Sequence, residues 1–151
     1  MSTNTETPVA PSVTINDKKY LISDLDDKSK SLLNDLTRTV MEYKELLRSY
    51  NQSLTLTNTY ASGLKTEVEK TGLPESSSED SPSITIADKK YDGSDLPDTV
   101  KAYVSELVRA NNNKTNLEYR LRQLDAARIT FINALKESVE ASGVSPTVDE
   151  E

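Results

Sequence analysis

Two short stretches of the chain alternate apolar with polar residues, and each leads into a much longer stretch with a helical period. Residues 13–22 and 84–91 are rich in β-branched residues and tyrosine, and polar residues that favour turns interrupt both. This pattern predicts two β-hairpins, each with one apolar face, because side chains alternate along a strand. The residues expected on these faces include Ile15, Tyr20, Ile86 and Tyr91.

The first hairpin is expected to turn over the four residues Asn16–Lys19, because Asn and Asp tolerate left-handed backbone and bond locally. In that register Ile15 pairs with Tyr20 and Val13 pairs with Ile22. All four side chains would then point to one face.

The return strand of the second hairpin is expected to be shorter, because Asp92-Gly93 stand where the first hairpin has two apolar residues. A two-stranded hairpin alone is marginal in water, so each apolar face must rest on a helix.

A long helical pattern follows each hairpin. From Val100 to Leu135 apolar residues fall at alternating steps of three and four, which is typical of a coiled-coil seam, whereas the stripe after the first hairpin is broader. Polar runs near 51–58 and 111–116 could bend the helices, or their polar seam residues could fix the register with a partner. The seam residues predicted to mediate packing or partner contacts are Leu36, Leu46, Leu107, Leu117, Leu121, Leu124, Phe131 and Leu135.

The chain also repeats itself. A shift of 71 positions aligns residues 13–72 (repeat 1) with residues 84–143 (repeat 2) without a gap, and about a third of the aligned residues are identical. A gapless match of this kind predicts an internal duplication. The predicted fold is therefore α+β, mainly α, with two tandem units that each consist of a β-hairpin followed by a long amphipathic helix.

The remaining segments have the composition of tails and linkers. Residues 1–12 and 144–151 are expected to be disordered tails, the second one acidic, and residues 73–83 are expected to form a flexible acidic linker. The charge distribution agrees with this division. The net charge is −7, yet bases and acids balance within each repeat, so the excess acid lies in the tails and the linker.

The length of the predicted helices limits how the two repeats can be arranged. At ~1.5 Å per residue a continuous helix from Asp27 to Lys70 would be about 66 Å long. The segment Thr71–Ser83 spans at most roughly 45 Å, too short to bring the second hairpin beside the first. We expect the helices to run antiparallel, with each hairpin packed at the far end of the other repeat's helix. Bent helices and pairing with other chains are the alternatives.

Capping signals flank both helices. The segments Ser23–Asp27 and Ser94–Asp98 supply hydroxyl and carboxylate caps, and Gly72 and Gly143 are expected at the C-terminal ends. The three aspartates within Ser23–Asp27 could also be considered as a metal site. They lack the spacing and the glycine of a calcium loop, so capping is the preferred interpretation.

The amino-acid composition excludes several kinds of catalytic and metal-binding groups. The chain has no Cys and no His, which excludes thiol nucleophiles, thiolate ligands and imidazole bases. No glycine-rich phosphate loop or nucleophile elbow occurs. We therefore expect no enzyme activity, no catalytic or metal residues and no cofactor. The absence of a basic stripe and of a long apolar run argues against a nucleic-acid or membrane partner.

The phrases VTINDKKY (13–20) and ITIADKKY (84–91), each followed by a capping segment and a long helix, resemble a family of small uncharacterised proteins of marine cyanophages. The helix end LDAARITFINALK (124–136) resembles the same family, and repeat 1 departs from it there with LTNTYASGLK (56–65). The resemblance implies a phage setting, with location in the host cytoplasm or the virion. It carries no catalytic residues.

These observations predict a non-enzymatic structural or interaction protein. In a phage setting it would be a virion accessory, such as a head-decoration or tail-associated protein, and it would associate with itself or with another protein through its helical seams. The alternative is a small intracellular phage regulator that captures a host or phage partner through the same seams. The first residues lack the basic and apolar regions of a signal peptide, which agrees with synthesis in the cytoplasm.

Overall fold

The computed structural model describes residues 9–75, 83–94 and 96–147. The first hairpin consists of β1 (Ser12–Ile15) and β2 (Lys18–Leu21), and a short 3-10 turn (Ile22–Asp24) leads from it to helix α1 (Asp27–Thr71). The second consists of β3 (Ser83–Ile86) and β4 (Lys89–Asp92) and precedes helix α2 (Asp98–Ser142). The predicted fold class is confirmed: the protein is α+β and mainly helical, and its two long helices pack against each other.

The register predicted for the first hairpin is wrong. Val13 pairs with Tyr20 and Ile15 with Lys18, so the turn contains only Asn16 and Asp17. Both turn residues have left-handed backbone, with φ of 51° and 61°. This geometry matches the right-handed twist of the strands, which favours the two-residue turn over the four-residue turn that we predicted.

The expected shortening of the second hairpin is also wrong. Its strands β3 and β4 have four residues each, as in the first hairpin, and Ile84 pairs with Tyr91 in the same register. Asp92, which corresponds to Leu21 of the first hairpin, is the last residue of β4 and affects the turn that follows the strand. Its carboxylate accepts hydrogen bonds from the amide (3.0 Å) and the hydroxyl (2.7 Å) of Ser94, and these bonds lower the pKa of Asp92.

The start of α1 carries the predicted carboxylate cap. The Asp26 side chain accepts a hydrogen bond of 2.8 Å from the amide of Ser29, and hydrogen bonding with Ser29 is the main reason why the pKa of Asp26 is lowered. Pro97 stands at the corresponding position before α2, where a residue without an N–H is tolerated. Asp95, which belongs to the capping segment predicted for α2, lies outside the described residues.

Both helices are continuous through their polar middles. Threonine hydroxyls in these stretches bond to the backbone carbonyl four residues earlier, as Thr55 does with Asn51 and Thr115 with Asn111. These side chains are thus satisfied within the helix and do not interrupt it. The predicted C-terminal glycines are confirmed, since Gly72 and Gly143 have φ of 65° and 68° directly after the helices.

The chain divides into two compact units, and neither coincides with a sequence repeat. The first compact unit comprises residues 1–43 and 123–151, and the second comprises residues 44–122. Each contains one hairpin, part of α1 and part of α2. Within each unit the two helix segments run antiparallel, as predicted.

The core of the first compact unit lies between its hairpin and the C-terminal part of α2. Ile15 and Tyr20 from the hairpin and Leu25 pack with Leu135 and Val139 of α2. The hairpin of repeat 1 therefore rests on the helix end of repeat 2. Partly buried residues around this core are Val13, Leu32, Leu33, Leu36 and Val144.

The core of the second compact unit contains five residues of the same types as those of the first core, at corresponding positions of the repeats. Ile86 and Tyr91 of the hairpin and Leu96 pack with Leu64 and Val68 of α1, and each of these five residues lies 71 positions from its counterpart in the first core. Val100 completes this core and is fully buried.

The segments predicted as tails and linker lie partly outside the described residues, namely residues 1–8, 76–82 and 148–151. Of the described part, Ser12 begins β1 and Ser83 begins β3. Residues 144–147 have no regular secondary structure but contact the first hairpin. The Thr147 amide donates a hydrogen bond of 2.7 Å to the carbonyl oxygen of Lys19.

Candidate interaction surface

The helix interface of the first compact unit contains a buried polar contact. The hydroxyl of Ser29 on α1 lies 2.8 Å from that of Ser138 on α2, and the two residues are 0% and 5% exposed. A hydroxyl in such a place is costly unless it is hydrogen-bonded. The two serines satisfy each other and fix the local position of one helix against the other.

The second compact unit has its own polar contacts between the helices. The Tyr50 hydroxyl donates a hydrogen bond of 3.1 Å to the carboxylate of Glu118, and the Asn113 amide donates one of 2.9 Å to the buried hydroxyl of Ser53. The bond to Glu118, followed by burial, raises the pKa of Tyr50 because the carboxylate favours the protonated phenol. Every buried side-chain nitrogen or oxygen among the described residues has a partner.

A close helix approach lies nearer to the second hairpin. A Cβ atom on Gly63 would stand 2.7 Å from Cε1 of Tyr103, which is closer than real Cβ contacts allow. The Tyr103 ring therefore occupies space that only glycine leaves free. In the first compact unit the positions 71 residues away hold Ala134 and Leu32, a larger residue on one helix and a smaller one on the other.

One face of α1 in the second compact unit remains exposed. Leu47 is 38% exposed and Leu56 is 45% exposed, and the bases Lys44 and Arg48 lie beside Leu47. Neither base has an ion-pair partner within the part of the chain that the structure describes. We call this surface the α1 face, and it borders an open depression of about 660 Å³. The residues that line this depression are Lys44, Leu47, Arg48, Asn51, Gln52, Thr55, Leu56 and Thr59.

A second depression adjoins the α1 face at Leu56. It has a volume of about 790 Å³ and lies between the helices of this unit, with Leu56 and Tyr60 on α1 and Val108 and Arg109 among its residues on α2. Val108 is 54% exposed. Apolar side chains from both helices thus line a surface that also carries bases and amides.

None of the predicted packing residues is exposed. Those in the first compact unit are Ile15, Tyr20, Leu36, Leu124, Phe131 and Leu135, and those in the second are Ile86, Tyr91, Leu46, Leu107, Leu117 and Leu121. All of them are buried or half-buried. Their contact with a further partner stays a prediction.

The sequence pattern missed the exposed residues Leu56 and Val108. Both lie outside the predicted seams, but spacing alone does not distinguish an uncovered apolar residue from one that other parts of the unit cover. The buried serines were missed because a serine within an apolar stripe resembles an ordinary surface position.

Two other features are absent from the described residues. No group of three or more acidic side chains in these residues is arranged to hold a metal ion. Among them, no helix is both long and apolar enough to cross a bilayer. Comparison with protein-family models, with curated proteins and with solved structures finds no match for this chain.

Proposed function

We propose that the protein is a non-enzymatic structural and interaction protein that binds a partner helix on the α1 face. The observation that carries this proposal is the exposure of Leu47 and Leu56 on a long, continuous helix, with two bases that lack an ion-pair partner among the described residues beside Leu47. Amphipathic helices bind to such surfaces by placing apolar side chains on the exposed leucines. A partner with acidic residues beside its apolar stripe would complement Lys44 and Arg48.

The hydrogen-bond contacts support a scaffold role. Tyr50 and Ser53 lie on the same helix segment as the α1 face and hold it against α2 through Glu118 and Asn113. A surface whose backbone is fixed in this way loses little conformational entropy on binding.

A position-specific cross-linking experiment tests the proposal. A photoreactive residue is placed in the full chain at Leu47 or at Leu56, and the chain is exposed to lysate of the cells in which it is made. Both positions should give the same cross-linked partner. The matched control carries the photoreactive residue at Lys101, which is exposed on α2 in the same compact unit.

A charge substitution at the same positions provides the second readout. The variant L47D/L56D should lose about tenfold or more of the capture, since removing central apolar contacts has effects of this size. The control variant K101D should retain it. Equal capture by all three chains would overturn the proposed face, and circular dichroism verifies that each variant keeps its helices.

Two biological roles are compatible with this surface, and we place the virion accessory first. The phage-like phrases at residues 13–20 and 84–91 support a phage setting. A head-decoration or tail-associated protein would be found by mass spectrometry in purified virions of its phage. If the chain is absent from virions while cross-linking from Leu47 succeeds in infected cells, the intracellular regulator is the correct role.

A further inference from the structure

We infer that the helix interface of this chain recognises the other repeat of the same chain in preference to a second copy of the same repeat. The basis is the positional match between the two cores, in which for example Leu64 and Leu135 occupy corresponding places 71 residues apart. With such matching, repeat 2 could in principle pair with repeat 2 of another chain, and repeat 1 with repeat 1. The inference is independent of the α1 face.

The contact between Gly63 and Tyr103 argues against such self-pairing. If repeat 2 paired with itself, Tyr103 would face Ala134, which occupies the position that corresponds to Gly63. A Cβ atom at that position would lie 2.7 Å from the Tyr103 ring. If repeat 1 paired with itself, Leu32 would face Gly63 and leave space unfilled. At this contact a pair of the same repeat is therefore either too crowded or incompletely packed, whereas the mixed pair is neither.

The buried serines lead to the same conclusion. The residues that correspond to Ser29 and Ser138 are Val100 and Glu67. Pairing of repeat 2 with itself would place Val100 against Ser138 and remove the hydroxyl with which Ser138 is paired across the interface. Pairing of repeat 1 with itself would bring the Glu67 carboxylate to Ser29, which has no solvent exposure. The first situation removes the partner of a buried hydroxyl, and the second takes a charged carboxylate out of water. Both are therefore unfavourable.

The contact between Tyr50 and Glu118 adds a third case. The corresponding residues are Leu121 and Leu47. In a pair of two copies of repeat 2, the half-buried Glu118 would face Leu121 and lose the phenol that donates to it. Three contacts in different parts of the interface therefore favour the same mixed pair. Such an interface disfavours assemblies in which two chains associate through copies of the same repeat.

Cleavage of the folded full-length chain tests the inference. A protease site replaces part of the segment 76–82, and the protein is folded and purified before the linker is cut. Transient unfolding in urea and refolding then allow the two fragments to exchange partners. Native mass spectrometry resolves the three possible pairs, since the fragments differ in mass. We expect the mixed pair to exceed each same-repeat pair by about tenfold or more.

A statistical mixture, with about half mixed pairs and about a quarter of each same-repeat pair, would overturn the inference. Fragments that do not reassociate would also overturn it, because the repeats would then not recognise each other without the linker. The variant G63A/Y103L gives the second compact unit the residues found at the corresponding positions of the first. In this variant the share of same-repeat pairs should rise severalfold, while it should not change in the control variant K101Q. An unchanged share in both variants would exclude Gly63 and Tyr103 as determinants.

Discussion

The hydroxyl groups of Ser29 and Ser138 lie 2.8 Å apart in a part of the helix interface that solvent does not reach. One of the two donates to the other, so each satisfies the other. Removing one member of the pair leaves a buried hydroxyl without a partner, whereas removing both leaves only a small loss of packing. The two kinds of change therefore have different consequences for stability.

We expect the variant S29A or S138A to lower the free energy of unfolding by about 1–3 kcal/mol, which is the usual cost of an unsatisfied buried polar group. The double variant S29A/S138A should lie closer to the wild type than either single variant. Urea denaturation of the four proteins measures this. Strictly additive losses in the double variant would show that the hydroxyls do not interact.

The close approach of Gly63 and Tyr103 gives the second prediction. Replacing Gly63 by Ala raises helix propensity by about 1 kcal/mol but introduces a Cβ atom that the Tyr103 ring must avoid, and overpacking typically costs about 1–3 kcal/mol. We expect the variant G63A to be less stable than the wild type. The double variant G63A/Y103L should recover stability, with a coupling free energy of about 1 kcal/mol.

A thermal denaturation series of the wild type, G63A, Y103L and the double variant measures this coupling. The control is Gly72, where a Cβ atom would meet nothing within 4 Å, but the left-handed backbone with φ of 65° would strain an alanine. The variant G72A should therefore lose stability whether or not Tyr103 is present. A G63A variant that melts above the wild type would contradict the predicted clash.

The bond between Tyr50 and Glu118 predicts an alkaline effect on stability. Because the pKa of Tyr50 in the folded protein is raised above its ordinary value of 10.0, the unfolded chain loses this proton first as pH rises. The contribution of the bond is complete below the unfolded pKa and disappears as pH passes through the folded pKa. The melting temperature of the wild type should therefore fall in this alkaline range by more than that of the variant Y50F.

Ultraviolet titration of the folded protein provides the direct measurement. The difference between the wild type and Y50F isolates one phenol, which should titrate above the ordinary value. In the variant E118Q the amide can still accept a hydrogen bond but carries no charge, so the pKa of Tyr50 should move back toward that value. A Tyr50 signal that titrates at or below the ordinary value would disprove the assignment.

Much of the fold could be predicted from residue patterns because those patterns report burial. Ile15 and Ile86 mark hairpin faces, and the helical spacing from Val100 to Leu135 marks an interface. The length of the helices and the short connection between them then left an antiparallel arrangement as the simplest one. These are consequences of periodicity and chain length, which a single sequence contains in full.

The turn register and the soft helix middles were harder to predict for local reasons. Lys18 and Lys19 resemble turn residues in composition, yet they are strand residues whose side chains are exposed. Threonines such as Thr55 favour loops in isolation, but within a helix the hydroxyl bonds to the carbonyl four residues earlier. Propensity alone does not distinguish these outcomes.

The exposed α1 face could not be predicted because it is defined by what the rest of the unit leaves uncovered. Leu46 and Leu47 are neighbours with the same chemistry, and the structure half-buries one and exposes the other. Which of the two leucines is covered depends on the positions of both helices. The complementary sizes of Gly63 and Tyr103 are visible in the sequence. Of the corresponding residues, Ala134 is larger than Gly63, and Leu32 is smaller than Tyr103.

The two hairpin turns provide the last prediction, because they differ at one position. Asn16 and Ala87 are corresponding first residues of the turns, and both have left-handed backbone, with φ of 51° and 48°. Asparagine tolerates this conformation, whereas alanine is strained in it by about 1–2 kcal/mol. The variant A87N should therefore stabilise the protein by about 0.5–1 kcal/mol, and N16A should destabilise it by a similar amount.

Thermal denaturation of both variants and of the exchange variant N16A/A87N measures this effect. The exchange variant should melt close to the wild type, because it moves the strain from one turn to the other. The Asn16 side chain also donates a long hydrogen bond of 3.5 Å to Glu140, and the variant E140A, which removes the acceptor, controls for its loss. If A87N does not raise the melting temperature, or if E140A reproduces the loss seen in N16A, backbone strain is not the cause of the difference between the two turns.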